Sequence, residues 1–227
     1  MDTTTYAPIT GRSLRIMPLG DSITDGYTTY PGGYRVALWQ RLTVDGHHIT
    51  FVGSQTNGPA ELGTRAHEGH PGWRIDQLDA NINTWLRDTD PHIILLLIGT
   101  NDMNQNYDID NAPQRLSQLI DHILAAQPHC ELLVATVPPQ HNPVHERRLR
   151  SYNKAIPTVV ARKGPQVHLV DMNDAMTTAD LGDAVHPSRA GHERMALVWY
   201  DALHRVPAAL ARTSESCPEH PGYADSR

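Results

Sequence analysis

Short apolar runs recur along the chain and alternate with segments of helical periodicity. The runs cover residues 14–19, 48–52, 93–98, 132–137 and 167–170. The third run contains only Ile and Leu, which is typical of a strand that is buried on both faces. Five such strands alternating with helices predict an α/β fold, a three-layer sandwich in which a five-stranded parallel sheet has helices on both faces.

Between these runs, apolar residues recur at the three- to four-residue spacing of an amphipathic helix. Tyr34, Leu38 and Leu42 share one helix face, and similar stripes follow at 75–86 and 116–124. The spacing therefore predicts a helix in each of these segments. The favoured interpretation of Tyr34 is packing rather than ligand contact.

Proline and serine refine the prediction in the second half of the chain. A helix begins near Glu146 and contains Pro157, which we expect to kink or split it. Ser188 is the predicted N-cap of the last helix. The segment 54–72 is rich in Gly, Pro and His and is interpreted as a long loop at the substrate rim. We expect a single domain over residues 1–210, followed by a polar tail over 211–227.

Composition and charge exclude several function classes. The chain has 227 residues and a formal net charge of −6, whereas a nucleic-acid-binding domain normally carries a basic face. Its longest apolar run, 93–98, is far shorter than the ~20 residues that a membrane helix needs. Residues 1–5 have no features of a secretory leader, so we expect a cytoplasmic protein, or a secreted one if a leader has been removed. The oligomeric state is not indicated.

Fourteen histidines raise the question of a metal site. His67 and His70 are three residues apart in a Gly- and Pro-rich segment, whereas the helical zinc motif His-Glu-x-x-His needs a spacing of four. Cys130 and Cys217 fit no zinc or redox spacing. The sequence therefore predicts no metal and no cofactor.

Residues with catalytic potential follow four of the predicted strands. Ser22 follows the first strand, Gly53 the second and Asn101 the third. Asp183 and His186 come after the fifth. Because ligands bind beyond the carboxyl ends of the strands in an open α/β sheet, we expect these residues to meet at one edge. They are the parts of an acyl-transfer site.

Each of these residues has a definite expected role. Ser22 is the nucleophile, His186 takes its proton at neutral pH, and Asp183 orients the imidazole across a tight turn. The N–H groups of Ser22 and Gly53 and the amide of Asn101 would hold the oxyanion. Taken singly, each residue also fits an ordinary turn or helix cap. Their joint placement favours the catalytic interpretation.

A serine elbow of the common α/β-hydrolase type is a competing interpretation, with the pattern Gly-x-Ser-x-Gly. Here Thr24 occupies the position of the second Gly, and the serine follows the first strand. In that fold the Asp and the His also lie far apart in sequence, whereas Asp183 and His186 are three residues apart. This class is therefore excluded.

Four segments resemble, in order, the sequence blocks of the SGNH (GDSL-type) serine hydrolases: Gly20-Asp21-Ser22-Ile23, Gly53, Gly99-Thr100-Asn101-Asp102 and Asp183-x-x-His186. The resemblance runs from about Arg15 to Leu203. It implies a flavodoxin-like sandwich, Ser22 as nucleophile, Gly53 and Asn101 in the oxyanion hole, and Asp183 and His186 completing the triad.

Longer stretches, 15–24, 51–54 and 67–73, look like the third carbohydrate esterase family, whose typical members remove acetyl groups from xylan. Two departures are the missing leader and Ala184, which replaces a common glycine between Asp183 and His186. We also assign Asp21, Trp73, Asp102 and Met103 to substrate binding, with Trp73 as the best candidate for a sugar platform.

The leading hypothesis is a serine esterase that hydrolyses small O-acyl groups, above all acetyl, from a carbohydrate or glycosylated compound. A second is a cytoplasmic acyl hydrolase or acyltransferase acting on a secondary metabolite or thioester, or a lysophospholipase or arylesterase of the same fold. A third is a non-catalytic sugar-binding protein. In each case the partner is a small-molecule or carbohydrate ligand, with no nucleic acid and no membrane.

Overall fold

The computed structural model describes residues 13–206 and Leu210. Its strands are β1 (Leu14–Gly20), β2 (Ile49–Phe51), β3 (Gln55–Thr56), β4 (Ala66–Gly69), β5 (Ile93–Leu97), β6 (Glu131–Ala135) and β7 (Val167–Val170). Its helices are α1 (Ser22–Asp25), α2 (Tyr34–Val44), α3 (Ile75–Asp79), α4 (Ile82–Thr89), α5 (Thr100–Asn104), α6 (Ala112–Ala126), α7 (Pro143–Val160) and α8 (Arg189–His204). Short 3₁₀ helices span Ile109–Asn111 and Thr178–Asp180.

The sheet has the strand order β3-β4-β1-β5-β6-β7, and β2 pairs with β1 beside β4. All pairings are parallel except that of β3 with β4. The α/β class with a largely parallel sheet is therefore confirmed. The predicted number of five strands is wrong, because the segment 54–72 contains β3 and β4 and is not a continuous loop.

Two strands share one side of β1. The first, β2, pairs with its amino-terminal half, where Phe51 is the partner of Ile16. The second, β4, pairs with its carboxyl end, where Gly69 is the partner of Gly20. The segment beside the carboxyl end of β1 is therefore β4.

Each face of the sheet carries its own hydrophobic core. In β5, Ile94 and Leu96 face the core formed with α3, α4, α6 and α7. Ile93, Leu95 and Leu97 face the opposite core, formed with α2 and α8. Full burial of each such side chain contributes roughly 1.5–3 kcal/mol relative to its exposure, which explains why this strand is apolar throughout.

Two helix predictions need correction. The single helix expected over 75–86 is divided into α3 and α4. Pro157 does not split α7, which continues to Val160 with the proline inside it. Ile156 and Val160 on either side of the proline are buried in the core, and this burial offsets the lost backbone hydrogen bond.

Ser188 is the N-cap of α8 as predicted, and its hydroxyl accepts the N–H of Gly191. The extent of the domain over 1–210 stays a prediction, and the predicted tail 211–227, which includes Cys217, lies outside the described residues. Among the described residues, we find no helix that combines the length and apolar character needed to cross a bilayer.

Candidate active site

Ser22 stands at the turn where β1 passes into α1. The Asp21 carboxylate accepts the N–H of Ile23 at 2.9 Å and so caps this short helix. Gly20 allows the turn to pack tightly, since a Cβ there would lie 2.3 Å from the carbonyl oxygen of Leu97. This turn, residues 20–22, is called the nucleophile turn after the role predicted for Ser22. It fixes Ser22 at the carboxyl end of β1, where the Ser22 side chain is largely buried.

The structure brings Ser22, His186 and Asp183 together. Nε2 of His186 lies 2.9 Å from Oγ of Ser22, and Nδ1 lies 2.8 Å from Oδ2 of Asp183. A neutral imidazole in this position donates its Nδ1 proton to the carboxylate and presents Nε2 as the acceptor for the serine proton. Activation of a serine nucleophile requires contacts of this kind.

Asp183 is held in place by its own loop. Its Oδ1 accepts the backbone N–H groups of Val185 and His186, each at 2.7 Å. Partial burial raises the pKa of Asp183, but these hydrogen bonds and the His186 ring outweigh it, and the net pKa lies below the ordinary value. The carboxylate therefore remains ionised when the imidazole becomes charged.

Asn101 lies in the first turn of α5, beyond the end of β5. Its Nδ2 donates to the carbonyl oxygen of Trp73 at 2.9 Å and lies 3.4 Å from Oδ2 of Asp21. Asn101 therefore joins the segment after β4 to the nucleophile turn. Its amide group lies near Asp21, the residue before Ser22, and its place in the oxyanion hole stays a prediction.

Gly53 does not occupy the expected position. It follows β2, which stops pairing with β1 well before Gly20, and it packs against the backbone of His67 in β4. A Cβ at residue 53 would lie 2.2 Å from the carbonyl carbon of His67. Gly53 therefore has a packing role against β4, and this packing does not support its assignment to the oxyanion hole, which stays a prediction.

The segment that reaches the nucleophile turn is the one after β4, which the sequence analysis missed. The N–H of His70 donates to the carbonyl oxygen of Gly20 at 3.0 Å, and the Trp73 carbonyl accepts from Asn101. Between these two contacts lies Gly72, with a φ of +81° and no atom within 4 Å of the place of a Cβ. In the sequence, the pair Pro71-Gly72 directly before Trp73 was the signal that could have indicated this turn.

Three of the expected substrate-binding residues are buried. Asp21 and Asp102 have 0% of their surface exposed, and Met103 has 1%. Burial raises the pKa of Asp21 to about 6, against the lowering effect of the Ile23 N–H. Their burial argues against direct contact with a substrate, and their assignment to substrate binding stays a prediction.

Asp102 connects α5 to its surroundings. Its carboxylate accepts from Arg115 at 2.8 Å and from the N–H of Ile75 at 3.1 Å. Burial raises the pKa of Asp102, and the bonds from Arg115 and Ile75 oppose this effect. Asp102 therefore fixes the helix that carries Asn101.

Trp73 is half-buried and packs against His70, with ring centroids 4.3 Å apart. The His70 ring also pairs with Glu68 at 2.8 Å, and this glutamate is completely buried. On the other side, the exposed Tyr27 ring lies 6.1 Å from the ring of His186. Trp73 and Tyr27 are therefore aromatic residues of the rim that a substrate can reach.

Arg35 lies behind the nucleophile turn and is completely buried. Its guanidinium donates to the carbonyl oxygens of Thr24, Asp25 and Arg65, at 3.2–3.3 Å, and to the side chain of Asn57. Burial lowers the pKa of Arg35 to about 10. One side chain thus connects α1 to the connection between β3 and β4.

With this geometry established, the chain can be compared with known proteins. It belongs to the GDSL-like lipase/acylhydrolase family, whose sequence profile matches residues 19–194. The resemblance to SGNH hydrolases is thereby confirmed.

Among solved structures, the chain is similar to the Clostridium thermocellum family 3 carbohydrate esterase. The identity is 36%, the similarity covers 88% of this chain and 100% of that chain, and the TM-score is 0.79. A carbohydrate esterase family 3 structure from Talaromyces cellulolyticus shows 27% identity over 85% of this chain and 97% of that chain, with a TM-score of 0.75.

A multidomain esterase from Ruminococcus flavefaciens is 28% identical over 94% of this chain. The chain spans 31% and 61% of the lengths of the two curated relatives that it matches.

Proposed function

We propose that this protein is a serine esterase that removes small acyl groups, above all acetyl, from a carbohydrate or glycosylated compound. The observation that carries the proposal is the continuous path of hydrogen bonds from Ser22 Oγ through the His186 ring to Asp183. Three groups at these distances match the requirements for nucleophilic acyl transfer.

In the proposed reaction, Ser22 Oγ attacks the acyl carbon while its proton passes to Nε2 of His186. The bond to the leaving alcohol then breaks, and His186 returns the proton to the alcohol oxygen. A water molecule next gives a proton to His186 and attacks the acyl carbon. The bond to Ser22 breaks as His186 returns this proton to Ser22 Oγ, and the carboxylic acid and free enzyme result.

The oxyanion of both tetrahedral intermediates needs donors fixed in advance. We assign this role to the N–H groups of Ser22 and Gly72 and to the Asn101 amide. Support for Gly72 comes from its neighbours, since His70 bonds to Gly20 and Trp73 bonds to Asn101. The backbone on both sides of Gly72 is thus fixed to segments beside the nucleophile.

The carbohydrate part of the proposal is supported by the shape of the site and by similarity. The Asp183 side chain is 44% exposed, and Tyr27 is 51% exposed, so the triad opens directly onto the surface. An open site suits an acyl group displayed on a bulky sugar better than a long fatty chain. Two of the similar structures are described as family 3 carbohydrate esterases.

The test is a panel of acetylated xylan, acetylated sugar monomers and aryl esters of graded acyl length. We expect acetate release to be fastest, and Ser22→Ala to abolish it. The control is Ser151→Ala, whose hydroxyl lies on the exposed face of α7 and bonds only to the Arg147 carbonyl. Activity unchanged in Ser22→Ala would disprove the nucleophile assignment.

Other outcomes of the same panel identify the competing functions. An optimum at long acyl chains would favour a lysophospholipase. Acyl products formed on added alcohols, detected by mass spectrometry, would favour an acyltransferase. Failure of a serine-directed phosphonate to label the protein would favour a sugar-binding protein without catalysis.

A further inference from the structure

Two histidines and an aspartate meet on the surface at the opposite end of α8 from the triad. Asp45 is the C-cap of α2, His47 lies in the turn before β2, and His204 is the last residue of α8. One ligand atom from each lies within 4.8 Å of the other two. We propose that these three residues form a binding site for a divalent transition metal, with Zn²⁺ as the best match.

The protonation of His204 supports this proposal. Its Nδ1 lies 2.9 Å from the backbone carbonyl oxygen of Tyr200, which can only accept, so Nδ1 carries the proton. In the neutral ring, Nε2 therefore presents a lone pair to Oδ2 of Asp45, 3.7 Å away. A metal ion between these two electron-rich atoms would bind both of them, in the place that a second proton on the imidazole would otherwise take. A hydrogen bond from the second ring nitrogen to a carbonyl is also the usual way in which proteins orient metal-binding histidines.

The remaining contacts hold the other two ligands in position. The Tyr200 hydroxyl donates to Oδ2 of Asp45 and thereby orients the carboxylate. The half-buried His47 ring lies 5.8 Å from the His204 ring at an interplanar angle of 67°. Two imidazoles at this angle can direct one nitrogen each toward a shared ion.

The local backbone favours a cation. Both α2 and α8 end at the site, so the negative ends of two helix dipoles converge there. The exposed position leaves room for water as a further ligand.

The donor set selects the metal. Two imidazoles and one carboxylate suit Zn²⁺ and its neighbours, whereas Ca²⁺ and Mg²⁺ prefer oxygen ligands. The helix α8 has 16 residues, so the site lies about 24 Å along its axis from the loop that carries His186. The ion would connect α8 to the turn between α2 and β2, and it would take no part in ester hydrolysis.

The test is calorimetric titration of the full chain, without a polyhistidine tag and after treatment with a chelator, using ZnCl₂. We expect one saturable site per chain, and affinity reduced by roughly tenfold or more in His204→Gln, His47→Gln and Asp45→Asn. A hundredfold excess of Zn²⁺ over its Kd should raise the Tm of the wild type by about 5 °C and leave the Tm of these three ligand variants unchanged.

Controls address the other histidines. His122 and His168 each pair with one carboxylate on the surface, at 2.6 and 2.8 Å, so His122→Gln and His168→Gln should bind Zn²⁺ like the wild type. Equal Tm values of all variants without metal would show that they fold. The proposal is overturned if the wild type shows no saturable binding, or if the three ligand variants keep the wild-type affinity. Loss of esterase activity on removing the metal would contradict the structural role.

Discussion

Gly69 of β4 pairs with Gly20, the last residue of β1 before the nucleophile turn. The pairing is close, because a Cβ on Gly69 would lie 2.5 Å from the Asp25 backbone nitrogen. This register determines which loop faces Ser22. It brings the segment after β4, which contains Gly72, beside the end of β1. Gly53 instead follows β2, which pairs with the other end of β1, and packs against His67.

The two glycines should therefore respond differently to alanine. In Gly53→Ala the new Cβ meets the His67 backbone, and its φ of +150° is strained for alanine, so we expect a loss of at least about 2 kcal/mol in stability. In Gly72→Ala the Cβ faces open space, and a φ of +81° costs about 1 kcal/mol.

The effects on kcat should have the opposite order to the effects on stability. A displaced donor at Gly72 should lower kcat by about tenfold or more, whereas folded Gly53→Ala should keep most of its kcat. Urea unfolding and initial rates on an aryl acetate measure both quantities. A large kcat defect in Gly53→Ala, with none in Gly72→Ala, would restore Gly53 to the oxyanion hole.

Asn101→Ala should lower kcat by roughly 10²- to 10³-fold with a small change in KM, because the donor acts mainly in the transition state. The matched control is Gln105→Ala at the C-cap of the same helix, whose exposed side chain donates to the Gly72 carbonyl at 3.0 Å. It should lose far less activity. Equal defects in both variants would indicate that Asn101 acts only by holding the loop.

Asp21→Asn should stabilise the protein at neutral pH. The folded-state pKa of Asp21 is raised to about 6 from an ordinary 3.8, so the charged form costs stability that grows as pH rises from about 4 to 6. At about 1.36 kcal/mol per pKa unit, the gain should approach 2–3 kcal/mol at pH 7 and vanish near pH 4. An amide oxygen can still cap Ile23.

The measurement for Asp21 is urea unfolding of both proteins at pH 4 and pH 7. Asp76→Asn is a suitable control, since this carboxylate is partly exposed and pairs with Arg74. If Asp21→Asn raises the free energy of unfolding by the same amount at both pH values, burial of the Asp21 charge is not the cause.

His192 should make the protein sensitive to acid. It is buried against Gly33, and burial lowers its pKa from 6.5 to about 4. Between these values the unfolded chain binds the proton more tightly, so stability falls as pH drops below about 6.5. Near pH 5 the contribution should reach about 2 kcal/mol.

His192→Leu should remove this dependence, because leucine does not titrate, and the loss between pH 7 and pH 5 should shrink. Unfolding curves at both pH values give the comparison, with the exposed His122 changed to leucine as a control. An unchanged pH dependence in His192→Leu would exclude this histidine as its source. His67, whose pKa burial lowers to about 3, is another buried candidate.

The strongly apolar strands and the residues that follow them could be predicted from the sequence. Ser22 and Asn101 were found because each directly follows a strand whose side chains are buried, and the pair Asp183 and His186 because three residues suffice for a turn. In these cases local pattern and tertiary position agree.

The strand β4 could not be recognised, because its residues Ala-His-Glu-Gly resemble a polar loop. Glu68 is nonetheless fully buried, since its carboxylate accepts from Ser54 and pairs with His70. Only tertiary structure provides these partners. Without β4, Gly53 was the natural choice beside the serine, and Gly72 was missed with the strand that positions it. The proximity of Asp45 and His204 was likewise hidden by their distance along the chain.

The buried Arg35 has a consequence for how the enzyme loses its activity. Its hydrogen bonds to the carbonyl oxygens of Thr24 and Asp25 hold α1, which follows the nucleophile turn. Its bond to the carbonyl oxygen of Arg65 holds the connection between β3 and β4. If that connection opens, these contacts break at the same time as the support of the turn. The turn that carries Ser22 and the connection between β3 and β4 therefore form one cooperative unit. The rate of amide hydrogen exchange in β3 and β4 should report the fraction of molecules in which Ser22 is ordered.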